Sequence, residues 1–223
     1  MFTKPSSKPQ PTDPVAMAGA RSHMYALMVR FINQLPDQEL LEKIKSREFE
    51  ELFNQFSGAA YLKTYRERME NNPTDDILNE LSVDRTRILR GTGPAELKPP
   101  HEGCYKLDCD LGSAAIQVKC FYRSAGLVPD ETVCEPPDYL CVQLDFMRQL
   151  CQQEQYLRSS NRDVEKVITC QDEFLKKHLG CWVTDFCGQV HKHALTDFYR
   201  GITLILGDFI KQDMEYLHFM VPA

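Results

Sequence analysis

The apolar residues of this 223-residue chain recur every three to four positions. The pattern is clearest in three series: Met24, Leu27, Met28, Phe31, Ile32 and Leu35; Leu140, Leu144, Met147 and Cys151; Leu195, Phe198, Ile202, Ile205 and Phe209. Such spacing places side chains on one face of an α-helix, and no stretch alternates as a half-buried strand would. We therefore predict an all-α fold, a single helical bundle of about ten helices.

Residues that favour helix ends predict some of the boundaries. Asp13 followed by Pro14 can cap and start the first helix. Thr74 is a suitable cap for a helix that continues to about Arg90, and Gly126 is suited to end a later helix. Ser160 is predicted to begin another helix, whose apolar face extends to Leu179.

The composition changes along the chain and indicates its organisation. Residues 1–14 hold four prolines among polar residues and lack the apolar core of a secretory signal. We predict a disordered tail over 1–14 and one all-helical domain over 15–223. A long loop that begins near Gly91, and an acidic hinge that ends near Pro137, are expected to separate two halves of the bundle.

Charge and hydropathy limit the classes of partner. The formal net charge of −6 argues against general nucleic-acid binding, which requires a basic surface. The apolar stretch 202–206 is far shorter than the roughly 20 residues of a membrane-spanning helix. We expect a cytoplasmic protein without stable membrane insertion.

Nine cysteines are many for this length, but the number is odd and no Cys-x-x-Cys occurs. We expect reduced thiols, most of them small buried core residues, and no bound metal or cofactor. Cys181, Cys187, His191 and His193 form the alternative, a metal cluster. No nucleophile–base arrangement is recognisable, which indicates that the chain is not an enzyme.

The arginines of one predicted helix, Arg85, Arg87 and Arg90, have two interpretations. A cluster of guanidinium groups can hold phosphate. Ion pairs with nearby acids such as Asp84 or Glu80 are the favoured alternative.

An acidic hinge is the most informative segment. No Lys or Arg occurs from Ser124 through Met147. The span carries five acids: Asp130, Glu131, Glu135, Asp138 and Asp145. Prolines at 136 and 137 end any preceding helix, and Asp138 stands where the next helix can begin, as its N-cap. An acidic hinge beside an apolar helix is suited to a basic, partly apolar peptide.

Four segments resemble motifs of TorD-type chaperones, the family that includes DmsD and NarJ. They are Glu-Pro-Pro-Asp-Tyr-Leu at 135–140, Pro-Pro-His-Glu-Gly-Cys-Tyr at 99–105, the arginine-rich run at 81–91, and the segment at 174–182. The hinge departs from the family pattern at Tyr139, where a histidine is usual, and the Pro-Pro loop departs at Gly103, where a serine is usual. The resemblance extends over most of the chain, from about Arg21 to Phe209.

The resemblance implies a function in the maturation of molybdopterin-containing reductases. Such a chaperone binds the N-terminal leader of the catalytic subunit, often a twin-arginine leader, and assists cofactor insertion and assembly before export. The candidate peptide-binding residues are Glu135, Asp138, Tyr139, Pro136, Pro137, Pro100, His101 and Tyr105. Asp138 could also act only as a helix cap, and Tyr139 could belong to the core. A homodimer is left open.

Two functions of other classes remain as alternatives. One is a Cys/His metal-binding enzyme or metal carrier, which elemental analysis would reveal. The other is a helical structural subunit without leader specificity, which the proteins that copurify with it would reveal.

Overall fold

Side-chain caps begin the first three helices. The carboxylate of Asp13 accepts a hydrogen bond from the amide of Val15 at 3.0 Å, which confirms Asp13-Pro14 as a helix start. Asp37 accepts from the amide of Leu40 at 2.7 Å in the same way, and the hydroxyl of Ser46 accepts from the amide of Phe49 at 3.2 Å. These acceptors satisfy amide groups that the first turn of a helix leaves without a partner.

The computed structural model describes residues 13–106, 111–127 and 135–221, and within them the chain forms eleven helices and no β-strand. The helices are α1 (Pro14–Asn33), α2 (Gln38–Lys45), α3 (Arg47–Phe53), α4 (Ala59–Glu70), α5 (Thr74–Arg90), α6 (Glu102–Tyr105), α7 (Leu111–Ser124), α8 (Leu140–Ser159), α9 (Glu165–Lys177), α10 (Leu179–His193) and α11 (Asp197–Met220). The predicted all-α fold is confirmed. The tail prediction is wrong for Asp13 and Pro14, which form the start of α1, and residues 1–12 lie outside the described residues.

Several predicted boundaries need correction. Ser160 ends α8 instead of beginning a helix. The predicted helix to Leu179 is two helices, because His178 leaves helical geometry with φ −128° and ψ −99°. Thr74 lies inside α5, whose N-cap is Pro73. The predicted stop at Gly126 is confirmed, since this glycine has a φ of 73° after the end of α7.

The core lies mainly where α1 packs against α8 and where α11 packs against α10 and α4. Aromatic rings join the elements within it. Phe31 of α1 lies 6.1 Å from Phe198 of α11, and Phe146 of α8 lies 4.6 Å from Phe174 of α9 between ring centroids. These contacts bury the apolar faces that the sequence pattern predicted.

Five polar side chains are buried together where α1, α8, α9 and α11 meet. The guanidinium group of Arg21 donates to Glu154 at 2.8 Å, and it also donates to Asp213 and Gln171. Tyr25 donates to Asp213 at 2.6 Å. Burial opposes the positive charge of Arg21, but the surrounding groups, Asp213 foremost, together outweigh that effect and the pKa of Arg21 is raised. This network was not predicted from the sequence.

Two of the three arginines predicted on α5, Arg85 and Arg87, bind groups of the protein itself. Arg87 pairs with Asp84 at 3.4 Å, as predicted. Arg85 instead donates to main-chain carbonyl groups at the end of α1, including that of Ile32 at 3.1 Å. Asp84 is fully buried and accepts from the amide of Thr196 at 2.8 Å, which ties α5 to the start of α11.

Seven of the nine cysteines belong to the described residues, and all seven are free thiols. Three are buried as predicted: Cys141, Cys151 and Cys187. Cys120 and Cys181 are exposed, while Cys104 and Cys170 are intermediate, so three of the seven described cysteines are buried and not most of them. Cys109 and Cys134 lie outside the described residues.

We expect Gly58→Ala to lower the free energy of unfolding by roughly 2–3 kcal/mol, because α4 and α11 approach too closely here for a side chain. A Cβ at Gly58 would lie 2.1 Å from the carbonyl oxygen of Gly201. Gly188→Ala is the matched control, since a Cβ there meets nothing within 4 Å. The control should raise stability by about 0.5–1 kcal/mol. Urea denaturation of both variants tests the close approach, and equal effects would contradict it.

Candidate functional site

The predicted Pro-Pro loop and the acidic hinge lie against each other. The amide of Leu140 donates to the carbonyl of Pro100 at 2.9 Å, and the amide of Glu102 donates to the carbonyl of Asp138 at 3.0 Å. His101 and Tyr139 form an antiparallel bridge between the two segments. We call residues 99–105 together with residues 135–139 the clasp, because main-chain hydrogen bonds hold the two segments together.

Asp138 holds the clasp and does not cap its own helix. The N-cap of α8 is Tyr139, without a side-chain cap, so the predicted capping function of Asp138 is wrong. Its buried carboxylate accepts instead from the amide of Gly103 in α6 at 3.2 Å and lies 3.7 Å from Nδ1 of His101. Burial alone would raise the pKa of Asp138, but the nearby His101 imidazole and the amide of Gly103 outweigh that effect, and the pKa is lowered.

Tyr139 belongs to the core of the clasp. Only 5% of the residue is exposed, and its hydroxyl donates to the side-chain carbonyl of Asn33 at 3.5 Å. The ring of His101 packs against the Tyr139 ring with centroids 5.3 Å apart. The clasp therefore contains an imidazole, but the Pro-Pro loop supplies it and the hinge does not.

Glu102 anchors the Pro-Pro loop in the interior, a function that was not predicted. The side chain is fully buried and accepts from Lys106 at 2.6 Å, from Gln143 at 2.6 Å and from the ring of His178 at 3.1 Å. Gln143 in turn accepts from the indole of Trp182 at 3.1 Å. Burial alone would raise the pKa of Glu102. The hydrogen bonds from His178 and Lys106 have the larger combined effect, and the pKa of Glu102 is lowered. In the sequence, Glu102 is an acidic residue in a proline-rich loop. Such a residue is ordinarily expected to be exposed, so the sequence does not indicate its burial.

Tyr105 fixes the other end of the loop. Its hydroxyl lies 2.9 Å from the carbonyl of Lys98 and 3.1 Å from the side-chain oxygen of Gln189. Its ring packs 5.3 Å from the ring of Trp182. Pro100 is buried, so of the three predicted loop residues, His101 and Tyr105 keep partly exposed side chains.

The outer side of the clasp carries a carboxylate and a proline. Glu135 and Pro136 are exposed, whereas Pro137 is half-buried and its carbonyl accepts from the hydroxyl of Tyr122 at 2.9 Å. Asp145 is paired with Arg148 at 2.6 Å and is therefore not an uncompensated acid. The other two acids of the predicted span, at 130 and 131, lie outside the described residues.

No group of three or more His, Cys, Asp or Glu side chains among the described residues is arranged to hold a metal ion. None of the helices in the described part of the chain combines the length and apolar character needed to cross a bilayer. What the clasp offers chemically is a preorganised surface with hydrogen-bonding groups and one exposed carboxylate.

Comparison with known proteins identifies the family. Residues 26–188 match the family model described as the nitrate reductase delta subunit. The chain belongs to this family. The match includes the whole clasp, from the Pro-Pro loop to the hinge, and the TorD/NarJ resemblance inferred from the motifs is confirmed.

Three relatives of this family member carry names that describe chaperones and not catalysts. The chlorate reductase assembly chaperone protein of Ideonella dechloratans is 34% identical over 142 residues, which cover 63% of this chain and 74% of that protein. The chaperone protein TorD of Vibrio atlanticus (strain LGP32) is 30% identical over 95 residues, 41% of this chain and 42% of that protein. The TorD of Shewanella pealeana (strain ATCC 700345 / ANG-SQ1) is 22% identical, with 88% and 89% coverage. The Vibrio alignment thus spans less than half of the length of that relative.

Proposed function

We propose that this protein is a cytoplasmic chaperone for the catalytic subunit of a molybdopterin-containing reductase. It binds the N-terminal leader of that subunit, of the twin-arginine type, and assists cofactor insertion and assembly before export. Membership of the nitrate reductase delta subunit family and the names of the assembly chaperones support this proposal. The observation that carries the site is that the two segments predicted to bind the leader form one clasp.

Within this proposal, Glu135 contacts an arginine of the leader directly. It is the exposed carboxylate of the clasp, whereas Asp138 is buried against Gly103 and His101. A guanidinium group pairs with a carboxylate through two parallel hydrogen bonds, which gives direction as well as affinity. Asp138 then acts as a positioning residue that keeps the Pro-Pro loop beside Glu135.

The clasp favours capture because its parts are already ordered. Tyr122 holds the hinge and Glu102 holds the loop, so little conformational freedom remains to be lost when a leader binds. The leader is captured before the client matures and released afterwards, when the assembled enzyme no longer presents it in the same form.

We expect Glu135→Gln to weaken binding of the client's leader peptide by about 0.5–2 kcal/mol, because an exposed or partly desolvated ion pair contributes in this range. The loss should be larger at low salt than at high salt, since salt screens exposed charges. Titration calorimetry with the leader of the copurifying reductase measures both effects.

Glu70→Gln is the matched control for this prediction. Glu70 is exposed at the end of α4, so the variant changes the net charge equally without touching the clasp. Equal binding by wild type and Glu135→Gln would show that the hinge carboxylate does not take part. If this protein copurifies with no reductase subunit, the proposed chaperone function itself is contradicted.

A further inference from the structure

A small open cavity lies at the end of the bundle opposite the clasp. Helix α8 begins beside the hinge at Leu140 and ends at Ser159, so its 20 residues place about 30 Å between the two sites. The cavity lies where the start of α1 meets the turn between α8 and α9, and its volume is about 280 Å³. Pockets that enclose drug-sized ligands have volumes of roughly 300–1,000 Å³, so this cavity is suited to a smaller molecule.

The lining of the cavity is positively charged. The described residues that form it are two arginines, one amide residue and three apolar residues: Arg158, Arg162, Asn161, Pro14, Val15 and Val164. None of these six is acidic, and the two guanidinium groups stay charged at any physiological pH. The cavity is therefore suited to an anion, although the chain as a whole is acidic.

The carboxylates nearest to the cavity bind other groups. Asp13 accepts from the amide of Val15 at 3.0 Å, and Asp163 accepts from the amide of Glu165 at 2.9 Å. Glu154 is buried and pairs with both Arg21 and Arg158, each at 2.8 Å. None of the three lines the cavity, so an anion placed there meets guanidinium groups and no carboxylate.

Arg158 brings an unused hydrogen-bond donor to the cavity. Its Nε donates to Glu154 at 2.8 Å, which fixes the guanidinium group. Its Nη2 is buried and has no hydrogen-bond partner among the described residues, and only 14% of the side chain is exposed. A buried donor without an acceptor destabilises a fold, and a ligand oxygen that accepts from Nη2 would remove this penalty.

Arg162 supplies the second positive group of the cavity. It is exposed, and no ion pair joins it to another residue in the described part of the chain. Its guanidinium group can therefore turn to a ligand without breaking an existing contact.

We propose that this cavity binds a small phosphate, either the free ion or the monoester of a small organic group. Phosphate oxygens accept from Nη2 of Arg158 and from Arg162, because the planar guanidinium group matches the geometry of a phosphate. The first turns of α1 and α9 meet at the cavity, and the positive ends of their dipoles add to the attraction. Val15 and Val164 offer apolar contact to the organic group of a monoester.

Titration calorimetry with inorganic phosphate at constant ionic strength tests the site. Arg162→Gln should weaken binding about tenfold, because it removes charge-assisted hydrogen bonds to the anion. Arg90→Gln is the matched control, since it changes the net charge equally at an exposed position of α5 outside the cavity lining. The control should bind as wild type does. Equal affinities for the two variants, or no binding by wild type, would overturn the proposal.

Arg158→Lys tests the buried donor separately. Lysine keeps a positive charge beside Glu154 but lacks the second arm of the guanidinium fork. Phosphate should bind about tenfold more weakly to this variant as well. Unchanged affinity would show that Nη2 of Arg158 does not contact the anion and would overturn its assignment.

Thermal denaturation provides a readout that is independent of the heat of binding. At about ten times the Kd of wild type, phosphate should raise the Tm of wild type and of Arg90→Gln by about 3–5 °C relative to chloride at equal ionic strength. The rise should be about 1 °C in Arg162→Gln, whose site is half filled at that concentration. Equal rises in all three proteins would indicate the general stabilising effect of phosphate salts and would overturn the site.

Titration with glycerol 3-phosphate distinguishes the two sources of the phosphate group. Tighter binding than that of inorganic phosphate identifies a monoester, and equal or weaker binding identifies the free ion. Both should lose affinity in Arg162→Gln, because the phosphate group is common to them. A loss confined to one of the two ligands would overturn the proposed shared phosphate site.

Discussion

Replacing Arg21 with Met should lower the free energy of unfolding by about 3–5 kcal/mol, the largest effect expected in this protein. The variant keeps an unbranched side chain of similar length but leaves the carboxylates of Glu154 and Asp213 buried without this cation. Arg158 still pairs with Glu154 at 2.8 Å in this variant, so the loss of Arg21 affects Asp213 more strongly than Glu154. Chemical denaturation followed by circular dichroism measures the change.

Two further variants identify the cause of that loss. Arg47→Met removes an exposed ion pair with Glu51 and should cost about 0.5 kcal/mol or less. Arg21→Met combined with Asp213→Asn should recover part of the stability, because the buried negative charge is removed as well. If the double variant is less stable than Arg21→Met, lost packing rather than uncompensated charge is the cause.

Glu102→Gln should lower the free energy of unfolding by roughly 2–4 kcal/mol, because His178 and Lys106 lose the buried anion that they share. Gln143 links Glu102 to Trp182, the only tryptophan of the chain, so the emission of its indole should shift as well. Glu173→Gln is the control, since it removes a more exposed pair with Lys177 and should cost about 0.5 kcal/mol or less. An unchanged emission spectrum would contradict the link between the loop and the core.

The same residue predicts a pH dependence. The pKa of Glu102 is lower in the folded chain than the ordinary value of about 4.3 for the unfolded chain. Its contribution to stability is therefore fully present above that ordinary value and is lost as the pH falls through the lowered folded value. Wild type should lose stability in this acidic range more steeply than Glu102→Gln, and parallel curves would contradict the assignment.

Local sequence patterns predict the two segments of the clasp but not the contacts between them. The order of the motifs along the chain indicates both of its segments, since each segment has its own prolines and acids. Local patterns could not show that Asp138 reaches the amide of Gly103, because that hydrogen bond joins residues 35 positions apart. The rule that an aspartate before an apolar helix caps that helix failed here, because a tertiary donor competed for the same carboxylate.

The sequence by itself determined the helical class, the start of α1 and the family, because these depend on spacing, caps and short motifs within neighbouring residues. Only the tertiary structure decided which polar residues are buried and what they bind. Arg21 and Asp213 are 192 positions apart, and Glu102 and His178 are 76 apart, yet each pair shares one desolvated site. Burial and hydrogen-bond partners depend on how the helices pack, and periodicity shows which face of a helix is apolar but not which other helix covers it.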